Sequence, residues 1–280
     1  MQKIQDIVIV LSRLWKLNNL RPLAEGRLVN NYLCIAYSAE YNCDVVLKIL
    51  LWHDARKYEA AALRYFDGHG CVELLAYNAE HHALLLPYLR PGETLRSLFP
   101  EHDEAATHIL VKIIKQLHAC TYTAKDAALF PTVAEWIKAL DNTYAHIPEQ
   151  LLSNARTLAK HLLSKKSAEY LLHGDLHHEN IVRAGADWVS IDPKGVVGEA
   201  EYEFGAFIRN PIPDLILQND VQRIIKKRIE LCSQLSGYDA QRIADWAFVQ
   251  AVLSACWVHE KGNEHLMNYF ITCADVLQKL

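Results

Sequence analysis

The stretch that decides the fold is His173-Gly174-Asp175-Leu176-His177-His178-Glu179-Asn180, followed by Ile191-Asp192-Pro193. Short apolar runs lie around it, at Leu171-Leu172, Ile181-Val182 and Trp188-Val189-Ser190-Ile191. Such runs predict short strands, and Ala184-Gly185-Ala186-Asp187 predicts the turn that joins the last two into a hairpin. The polar side chains therefore cluster where short strands end.

Three of these residues carry oxygen donors that suit a metal ion. Asp175 and Asn180 are five positions apart on one loop, and Asp192 ends the next hairpin strand. Mg²⁺ takes one or two carboxylates and fills its shell with water and phosphate oxygens, which leaves one carboxylate to accept a proton from a hydroxyl. These are the parts that phosphoryl transfer requires. A capped turn is the structural alternative, because Asp and Asn are common turn residues.

Toward the amino terminus, a lone lysine interrupts an apolar strand. In Val45-Val46-Leu47-Lys48-Ile49, the period-two geometry places Lys48 on the same face as Val46 and Leu50. A buried ammonium group without a partner is costly, so Lys48 either reaches solvent or meets an anion. Glu59 follows within a predicted helix over 54–69, for which Asp54 is the N-cap candidate.

The hydrophobic pattern changes near residue 90. Before it, β-rich runs predict short strands at 27–38, 45–52, 72–77 and 83–86. After it, apolar residues at helical spacing predict helices, the last three near 214–235, 239–258 and 263–279. We therefore predict an α+β protein in which residues 1–86 form a small antiparallel β lobe with one helix, 87–90 a hinge, and 91–280 a mainly helical lobe that carries the catalytic loop.

The loop is similar to that of protein kinases, which use H-R-D-x-x-x-x-N and a later metal-binding Asp. Here Gly174 replaces the Arg, and Ile191-Asp192-Pro193 replaces D-F-G. This form resembles the aminoglycoside phosphotransferases. More narrowly, HGDLHHENIV followed by IDPKGVVGE resembles the aminoglycoside/hydroxyurea antibiotic resistance kinases, the branch that includes the streptomycin 6-phosphotransferases. The resemblance is strongest over residues 170–210 and weak over the first 40.

The resemblance implies a two-lobed protein-kinase-like fold and a reaction. The amino-terminal lobe would bind the nucleotide, and the enzyme would phosphorylate a hydroxyl group of a small molecule with ATP and Mg²⁺. A streptomycin-class aminoglycoside is the favoured acceptor, so the expected biological effect is antibiotic inactivation and resistance.

The resemblance also implies a role for each matching residue. Asp175 matches the catalytic base that orients and deprotonates the acceptor hydroxyl, and Asn180 and Asp192 match the metal-binding positions. Lys48 matches the lysine that contacts the α- and β-phosphates, and Glu59 matches the helix glutamate that holds it. His173, by contrast, matches a framework histidine that holds the loop.

The hinge, Pro87-Tyr88-Leu89, is where backbone groups are expected to pair with adenine. Pro87 has no N–H and only accepts, so Leu89 is the expected donor. Val46 and Leu85 are expected to sandwich the ring.

One departure from the kinase pattern is the missing G-x-G-x-x-G loop. The segment 24–31 contains a single glycine, Gly26, so the contacts that cover the phosphates stay unassigned. Asn30 and Asn31 are either donors to the phosphates or turn residues.

The acceptor site is predicted from an acidic cluster. Glu199, Glu201 and Glu203 follow Asp192 closely, and alternation along an extended segment would place all three on one face. Such a face would attract a guanidinium or ammonium group. A solvated acidic loop is the equally weighted alternative.

Composition limits the partners. Of the 280 residues 51% are hydrophobic and 22% charged, which is typical of a globular protein, and the formal charge of −4 argues against a nucleic-acid partner. The seven cysteines are scattered without a C-x-x-C pair, which favours a reducing cytoplasm. Because no uncharged apolar stretch reaches about 18 residues, we expect no membrane association, and no obligate protein partner is evident.

Other functions stay open. The same catalytic set would serve a kinase of another small hydroxyl compound, such as hydroxyurea, a sugar, choline or homoserine. A kinase-like binding module without turnover is a second alternative, which the intact catalytic set disfavours. A zinc hydrolase site is disfavoured because His177 and His178 lack the H-E-x-x-H spacing.

Overall fold

The structure, a computed structural model, describes residues 2–23, 31–51, 55–121, 123, 128–165 and 167–280. The amino-terminal part contains one antiparallel sheet with the spatial order β1-β2-β3-β5-β4. Its strands are β1 (Leu17–Pro22), β2 (Asn31–Ser38), β3 (Cys43–Leu50), β4 (Ala76–Asn78) and β5 (Ala83–Pro87). Strands β2 and β3 form the predicted hairpin, in which Ser38 pairs with Cys43 across the turn.

Strand β3 separates two hydrophobic cores because its side chains alternate between the two faces of the sheet. Val45, Leu47 and Ile49 pack against the helix α1 (Gln2–Leu14) on one face. Leu50 belongs to the larger core on the other face, which includes the helix α2 (Ala55–Phe66). Lys48 therefore points toward α2, as the period-two argument predicts.

Helix α1 was not predicted from the sequence, which assigned no element before residue 27 and one helix, over 54–69, to the amino-terminal lobe. Its apolar residues Ile4, Ile7, Val8 and Leu11 lie on one stripe at helical spacing and pack in the α1-side core. Leu11 is fully buried there. The run Ile7-Val8-Ile9-Val10-Leu11 resembles a strand locally, but burial of that stripe against the sheet favours the helix.

The remainder of the chain is mainly helical around a few short strands. The strands are β6 (Pro91–Thr94), β7 (Glu169–Leu172), β8 (Ile181–Ala184), β9 (Asp187–Ser190) and β10 (Val196–Glu199). The α-helices are α3 (Asp103–His118), α4 (Val133–Trp136), α5 (Glu149–Ser164), α6 (Gly205–Ile208), α7 (Val221–Ser236), α8 (Ala240–Glu260) and α9 (Glu264–Leu277). Short 3₁₀ helices span Leu95–Leu98, Ile137–Asp141, His178–Asn180 and Ala200–Phe204. Helix α8 is buried continuously from Trp246 to Cys256 and forms the centre of this lobe.

Two small sheets position the loop residues. Strand β7 pairs with β10, and β8 pairs with both β6 and β9. The end of β9 is also joined to the segment after α2: Ser190 donates its N–H to the Gly70 carbonyl at 2.9 Å, and Val72 donates to the Ser190 carbonyl at 2.8 Å. This Gly70–Ser190 junction fixes the start of the Asp192 segment relative to the helix that carries Glu59.

The predicted fold class, α+β with a small antiparallel lobe and a mainly helical lobe, is confirmed. The boundaries 1–86, 87–90 and 91–280 stay a prediction. Element positions differ in places: the strand expected at 72–77 is confined to Ala76–Asn78, and the helix expected near 214 begins at Val221. In the described ranges no helix has the length and apolar character needed to cross a membrane.

Candidate active site

His173 joins the two segments that the sequence singles out. Its Nε2–H donates to the Ile191 carbonyl at 2.9 Å, and its Nδ1 accepts from the backbone N–H of Asp175 at 3.3 Å. The side chain is fully buried, and burial lowers its pKa to about 4. His173 is therefore a neutral framework residue that ties the Asp175 loop to the Asp192 segment.

A second buried side chain holds the backbone of the same loop. The carboxylate of Glu203 accepts the N–H of His173 at 2.6 Å and the N–H of Gly174 at 3.0 Å. Burial raises the pKa of Glu203 to about 7, although these two donors favour the charged form. Gly174 has φ +81°, and a Cβ there would lie 2.9 Å from Val196 and 3.0 Å from Trp136. The loop thus needs both the glycine and the carboxylate.

Asp175 is partly exposed and surrounded by cationic groups. Its carboxylate lies 3.7 Å from the Lys194 ammonium and 3.8 Å from Nε2 of His177. Burial alone would raise the pKa of Asp175, but the neighbouring His177 ring and the charges of Lys194 and Arg209 outweigh it and hold the pKa below its usual value. Asp175 is consequently ionised at neutral pH.

Asn180 is held by its amide nitrogen. Nδ2 donates to the Asp175 carbonyl at 2.9 Å and lies 3.2 Å from Nε2 of His177. The backbone carbonyl of Asn180 accepts from the N–H of Ile191 at 2.9 Å. The two predicted metal-binding segments are therefore joined next to Asp192, and the Asn180 oxygen Oδ1 points away from the Asp175 carbonyl.

Asp192 has φ +61°, a conformation that non-glycine residues rarely adopt. Its Oδ1 lies 2.6 Å from Nζ of Lys48. Burial would raise the pKa of Asp192, but the charges of Lys48 and Lys194 outweigh it and lower the pKa. An unusual backbone conformation at such a position is typical of functional sites.

Lys48 is 2% exposed and meets two carboxylates. Its Nζ lies 2.7 Å from Oε1 of Glu59, in addition to its contact with Asp192. Burial would lower the pKa of Lys48, but the two carboxylates outweigh it and raise the pKa above its usual value. The sequence left two alternatives for the Lys48 ammonium, which either reaches solvent or meets an anion. The structure shows that it meets anions.

The extended acidic face that the sequence predicts is wrong. Only Glu199 lies in a strand, and a 3₁₀ helix begins at Ala200. Glu199 is buried and accepts from Arg242, from the indole of Trp246 and, at 2.7 Å, from Ser167. Glu203 is engaged by the catalytic loop.

Glu201 lies half-buried on the same 3₁₀ helix, and burial raises its pKa. Glu199 and Glu203 both form hydrogen bonds inside the protein. The three glutamates therefore form neither the single acidic face nor the solvated acidic loop that the sequence offered as alternatives.

At the hinge, Pro87 ends β5 and pairs with Val45. Tyr88 donates its N–H to the Asp44 carbonyl at 3.0 Å, so Leu89 carries the next hinge N–H. The prediction that Leu85 and Val46 sandwich an adenine ring is wrong for Leu85, because Leu85 packs in the α1-side core. Leu86 stands opposite Val46 and shares its face.

The loop that replaces the glycine-rich motif lies outside the described residues from 24 to 30, as does Asp54. Asn31, at the start of β2, is described and partly buried.

The donor set fits a metal ion that arrives with a nucleotide. Asn180 and Asp192 together offer one amide oxygen and one carboxylate, and Mg²⁺ completes such a set with phosphate oxygens and water. Within the part of the chain that the structure describes, no group of three or more His, Cys, Asp and Glu side chains is placed to hold a metal. The amide oxygen of Asn180 and the carboxylate of Asp192 suit Mg²⁺ bound with phosphates.

Several residues near the catalytic loop were not assigned from the sequence. Arg209 is buried and bonds Gln250 at 2.9 Å. The half-buried ring of Trp136 lies against Gly174 and meets Trp257 edge-on, with ring centroids 5.6 Å apart. These contacts join distant parts of the chain, so no local spacing signals them.

The fold and the paired lysine, glutamate and aspartate define a kinase-like phosphotransferase. The chain belongs to the aminoglycoside/hydroxyurea antibiotic resistance kinase family, whose model matches residues 42–262. It is accordingly a phosphotransferase with an alcohol group as acceptor.

Two named relatives are similar to this chain in sequence, and a solved structure is similar to it in fold. The chain is 26% identical to streptomycin 6-kinase of Streptomyces glaucescens over 238 residues, which cover 83% of this chain and 76% of that one. It is 29% identical to streptomycin 3''-kinase of Klebsiella pneumoniae over 201 residues, 70% of this chain and 73% of that one. A solved structure of aminoglycoside phosphotransferase APH(4)-Ia, a ternary complex with ADP and hygromycin B, superposes with a TM-score of 0.68 at 12% identity, covering 96% and 97% of the two chains.

Proposed function

We propose that the protein transfers the γ-phosphoryl group of ATP, with Mg²⁺, to a hydroxyl group of a small cationic molecule of the streptomycin class. The observation that carries this proposal is the position of Lys48, whose ammonium joins Glu59 of α2 to Asp192 beyond β9. A strand lysine paired with a helix glutamate, beside an aspartate that binds the metal, is the arrangement that protein kinases use.

The nucleotide side of the reaction is assigned to the amino-terminal lobe. Lys48 would contact the α- and β-phosphates, and Glu59 would keep the ammonium aimed at them. Leu89 would donate its N–H to adenine and Pro87 would offer its carbonyl, with Val46 and Leu86 beside the ring.

The metal side is assigned to Asn180 and Asp192. When bound, Mg²⁺ would neutralise charge on the phosphate oxygens, which favours the transfer. Asp192 would exchange its contact with Lys48 for this role. The lowered pKa of Asp192 keeps its carboxylate charged at neutral pH, as a metal ligand must be.

Asp175 is assigned the base role. Its carboxylate is ionised and lies beside Lys194, whose charge would attract phosphate oxygens to the same place. Asp175 would orient the acceptor hydroxyl and accept its proton as the new O–P bond forms, and ADP would leave. A base of this kind contributes about 10²–10⁴-fold to the rate.

Aromatic side chains support a cationic acceptor better than the glutamates do. Trp136 touches the loop immediately before Asp175 and meets Trp257, and both rings are partly exposed. The face of a tryptophan attracts guanidinium and ammonium groups. The names of the two streptomycin kinase relatives agree with an acceptor that carries guanidinium groups.

A second candidate is a kinase of another hydroxyl compound, because the family description also names hydroxyurea. Hydroxyurea is small and uncharged, so the two tryptophans would contribute little to its binding. Choline, a sugar and homoserine remain further acceptors to compare.

The experiment is ADP release by the purified protein with Mg·ATP. The panel contains streptomycin, a 2-deoxystreptamine aminoglycoside, hydroxyurea and choline, with Asp175→Asn beside the parent. Release that requires streptomycin and is lost in the variant supports the proposal. ADP release with hydroxyurea or choline, and none with streptomycin, would show that the proposed acceptor is wrong. Nucleotide binding without ADP release for any compound would favour a binding module.

A further inference from the structure

A chain of four polar side chains leads from the surface to Asn180. Asp214 accepts from Nε and Nη2 of Arg96, at 3.1 and 2.6 Å. Arg96 also donates from Nη1 to Oε1 of Glu179 at 3.1 Å. The other oxygen of Glu179 lies 2.9 Å from Nδ1 of His177, and Nε2 of His177 lies 3.2 Å from Nδ2 of Asn180.

These contacts fix which ring nitrogen of His177 carries the proton. A carboxylate only accepts hydrogen bonds, so Nδ1 donates to Glu179. The backbone N–H of Glu179 lies farther from Nδ1, at 3.3 Å, and is the weaker contact. In the neutral ring Nε2 is then the acceptor, and it receives the N–H of Asn180.

The same contacts decide which way the Asn180 amide faces. Nδ2 of Asn180 carries two hydrogens, and the Asp175 carbonyl and Nε2 of His177 take one each. If the amide were reversed, Oδ1 would face two acceptors and both hydrogen bonds would be lost. The orientation that directs Oδ1 away from the Asp175 carbonyl is therefore held by His177.

We propose that His177 is a positioning residue that orients the Asn180 amide oxygen toward the nucleotide-bound metal, and that the Arg96–Glu179 pair fixes His177 for this task. The inference rests on the proposed function, in which Asn180 is a metal ligand. Residues that hold metal ligands in this way typically contribute 10- to 100-fold to metal affinity.

Arg96 anchors this series of polar side chains because different nitrogens of its guanidinium group bond Asp214 and Glu179. It lies on the 3₁₀ helix Leu95–Leu98, directly after β6, and β6 pairs with β8. Glu179 lies on the 3₁₀ helix that precedes β8. The small β6-β8-β9 sheet therefore keeps Arg96 and Glu179 in register with each other.

The test uses two substitutions of His177 that differ only in reach. In His177→Gln the amide oxygen lies about where Nε2 was, so it still accepts from Asn180. In His177→Asn the side chain ends near the position of Nδ1, so it reaches Glu179 but not Asn180. The affinity for ADP is measured by calorimetry with Mg²⁺ and with EDTA, and thermal melting reports folding.

We expect His177→Asn to lose roughly 10-fold or more of the ADP affinity in Mg²⁺ while keeping the affinity in EDTA. His177→Gln should stay closer to the parent. Glu179→Ala, which leaves the ring unheld, should shift the Mg²⁺ value in the same direction as His177→Asn. The control is Arg223→Ala, which removes an exposed arginine that pairs with Asp220 at the surface and should change neither value.

The outcomes separate the two proposals. Equal ADP affinity of the parent and His177→Asn in Mg²⁺ would overturn the positioning role, and so would equal losses in Mg²⁺ and EDTA. Asn180→Ala is included to test the metal site itself. If Mg²⁺ raises the ADP affinity of Asn180→Ala as much as that of the parent, or raises neither, the metal assignment in the proposed function is wrong and the positioning role falls with it.

Discussion

Nζ of Lys48 lies 2.6 Å from Oδ1 of Asp192, although 144 positions separate them in the chain. The ammonium thus neutralises a carboxylate that is proposed to bind metal. A nucleotide would compete for both groups, because its phosphates attract Lys48 and its Mg²⁺ attracts Asp192. Nucleotide binding therefore involves an exchange of partners at this contact, while Glu59 keeps Lys48 in place.

Asp192→Ala should weaken ADP binding in the presence of Mg²⁺ and leave the affinity in EDTA nearly unchanged, because the substitution removes a metal ligand but leaves the Lys48–Glu59 pair. Calorimetry measures both values. Asp187→Ala is the matched control, since Asp187 is exposed on the same hairpin and pairs with Lys112 at the surface. Unchanged affinity of Asp192→Ala in Mg²⁺ would remove Asp192 from the metal site.

Asp175→Asn should fold normally, bind nucleotide and lose about 10²–10⁴-fold in kcat, because an amide does not accept the hydroxyl proton. Steady-state ADP release gives the rate. Asp220→Asn, at the exposed start of α7, is the control and should keep the parent rate. A kcat close to the parent in Asp175→Asn would exclude the base role.

Glu203→Gln should destabilise the protein by about 1–3 kcal/mol, because one of the two loop N–H groups would face the NH₂ group of the glutamine instead of an acceptor. Urea denaturation measures the free energy of unfolding. Glu201→Gln changes a half-buried neighbour on the same 3₁₀ helix and should cost clearly less. Equal losses for the two variants would show that Glu203 does not hold the loop.

His118 predicts a pH dependence of stability. Burial lowers its pKa from 6.5 to about 4, so between these values the unfolded chain binds more protons than the folded one. The stabilisation is complete above pH 6.5 and is lost as the pH falls toward 4, with a slope of up to about 1.4 kcal/mol per pH unit. His118→Gln should therefore flatten the curve of unfolding free energy against pH.

The matched control for that experiment is His108→Gln, on the exposed side of the same helix α3. It should keep the pH dependence of the parent. If the unfolding free energy of His118→Gln and of the parent had the same slope between pH 4 and 6.5, His118 would not be a buried neutral ring.

Local patterns predicted the parts of the fold that short-range geometry determines. The face on which Lys48 lies follows from strand alternation, and the β8-β9 hairpin follows from its turn residues. Strand pairing is a long-range property, so Leu85 was assigned to the wrong face of the sheet. Helix α1 was not predicted because its run of Ile and Val residues has no clear helical signal until the stripe Ile4, Ile7, Val8 and Leu11 is considered.

The acidic cluster shows the same limit at the site. The alternation argument holds only for an extended segment, and the 3₁₀ helix that begins at Ala200 ends it after Glu199. The actual partners of Glu199 and Glu203 come from α8 and from the catalytic loop, far away in the chain. The role proposed for His177 similarly depends on Arg96, which holds Glu179 from a position far away in the chain that no motif encodes.

The Gly70–Ser190 junction has a mechanical consequence. Helix α2 also belongs to the same hydrophobic core as the mainly helical part of the chain, so this junction is one of several contacts across the cleft. Together these contacts hold α2, and Glu59 with it, close to the Asp192 segment. We therefore expect nucleotide entry to require local movement of the sheet while α2 and the Asp192 segment stay together.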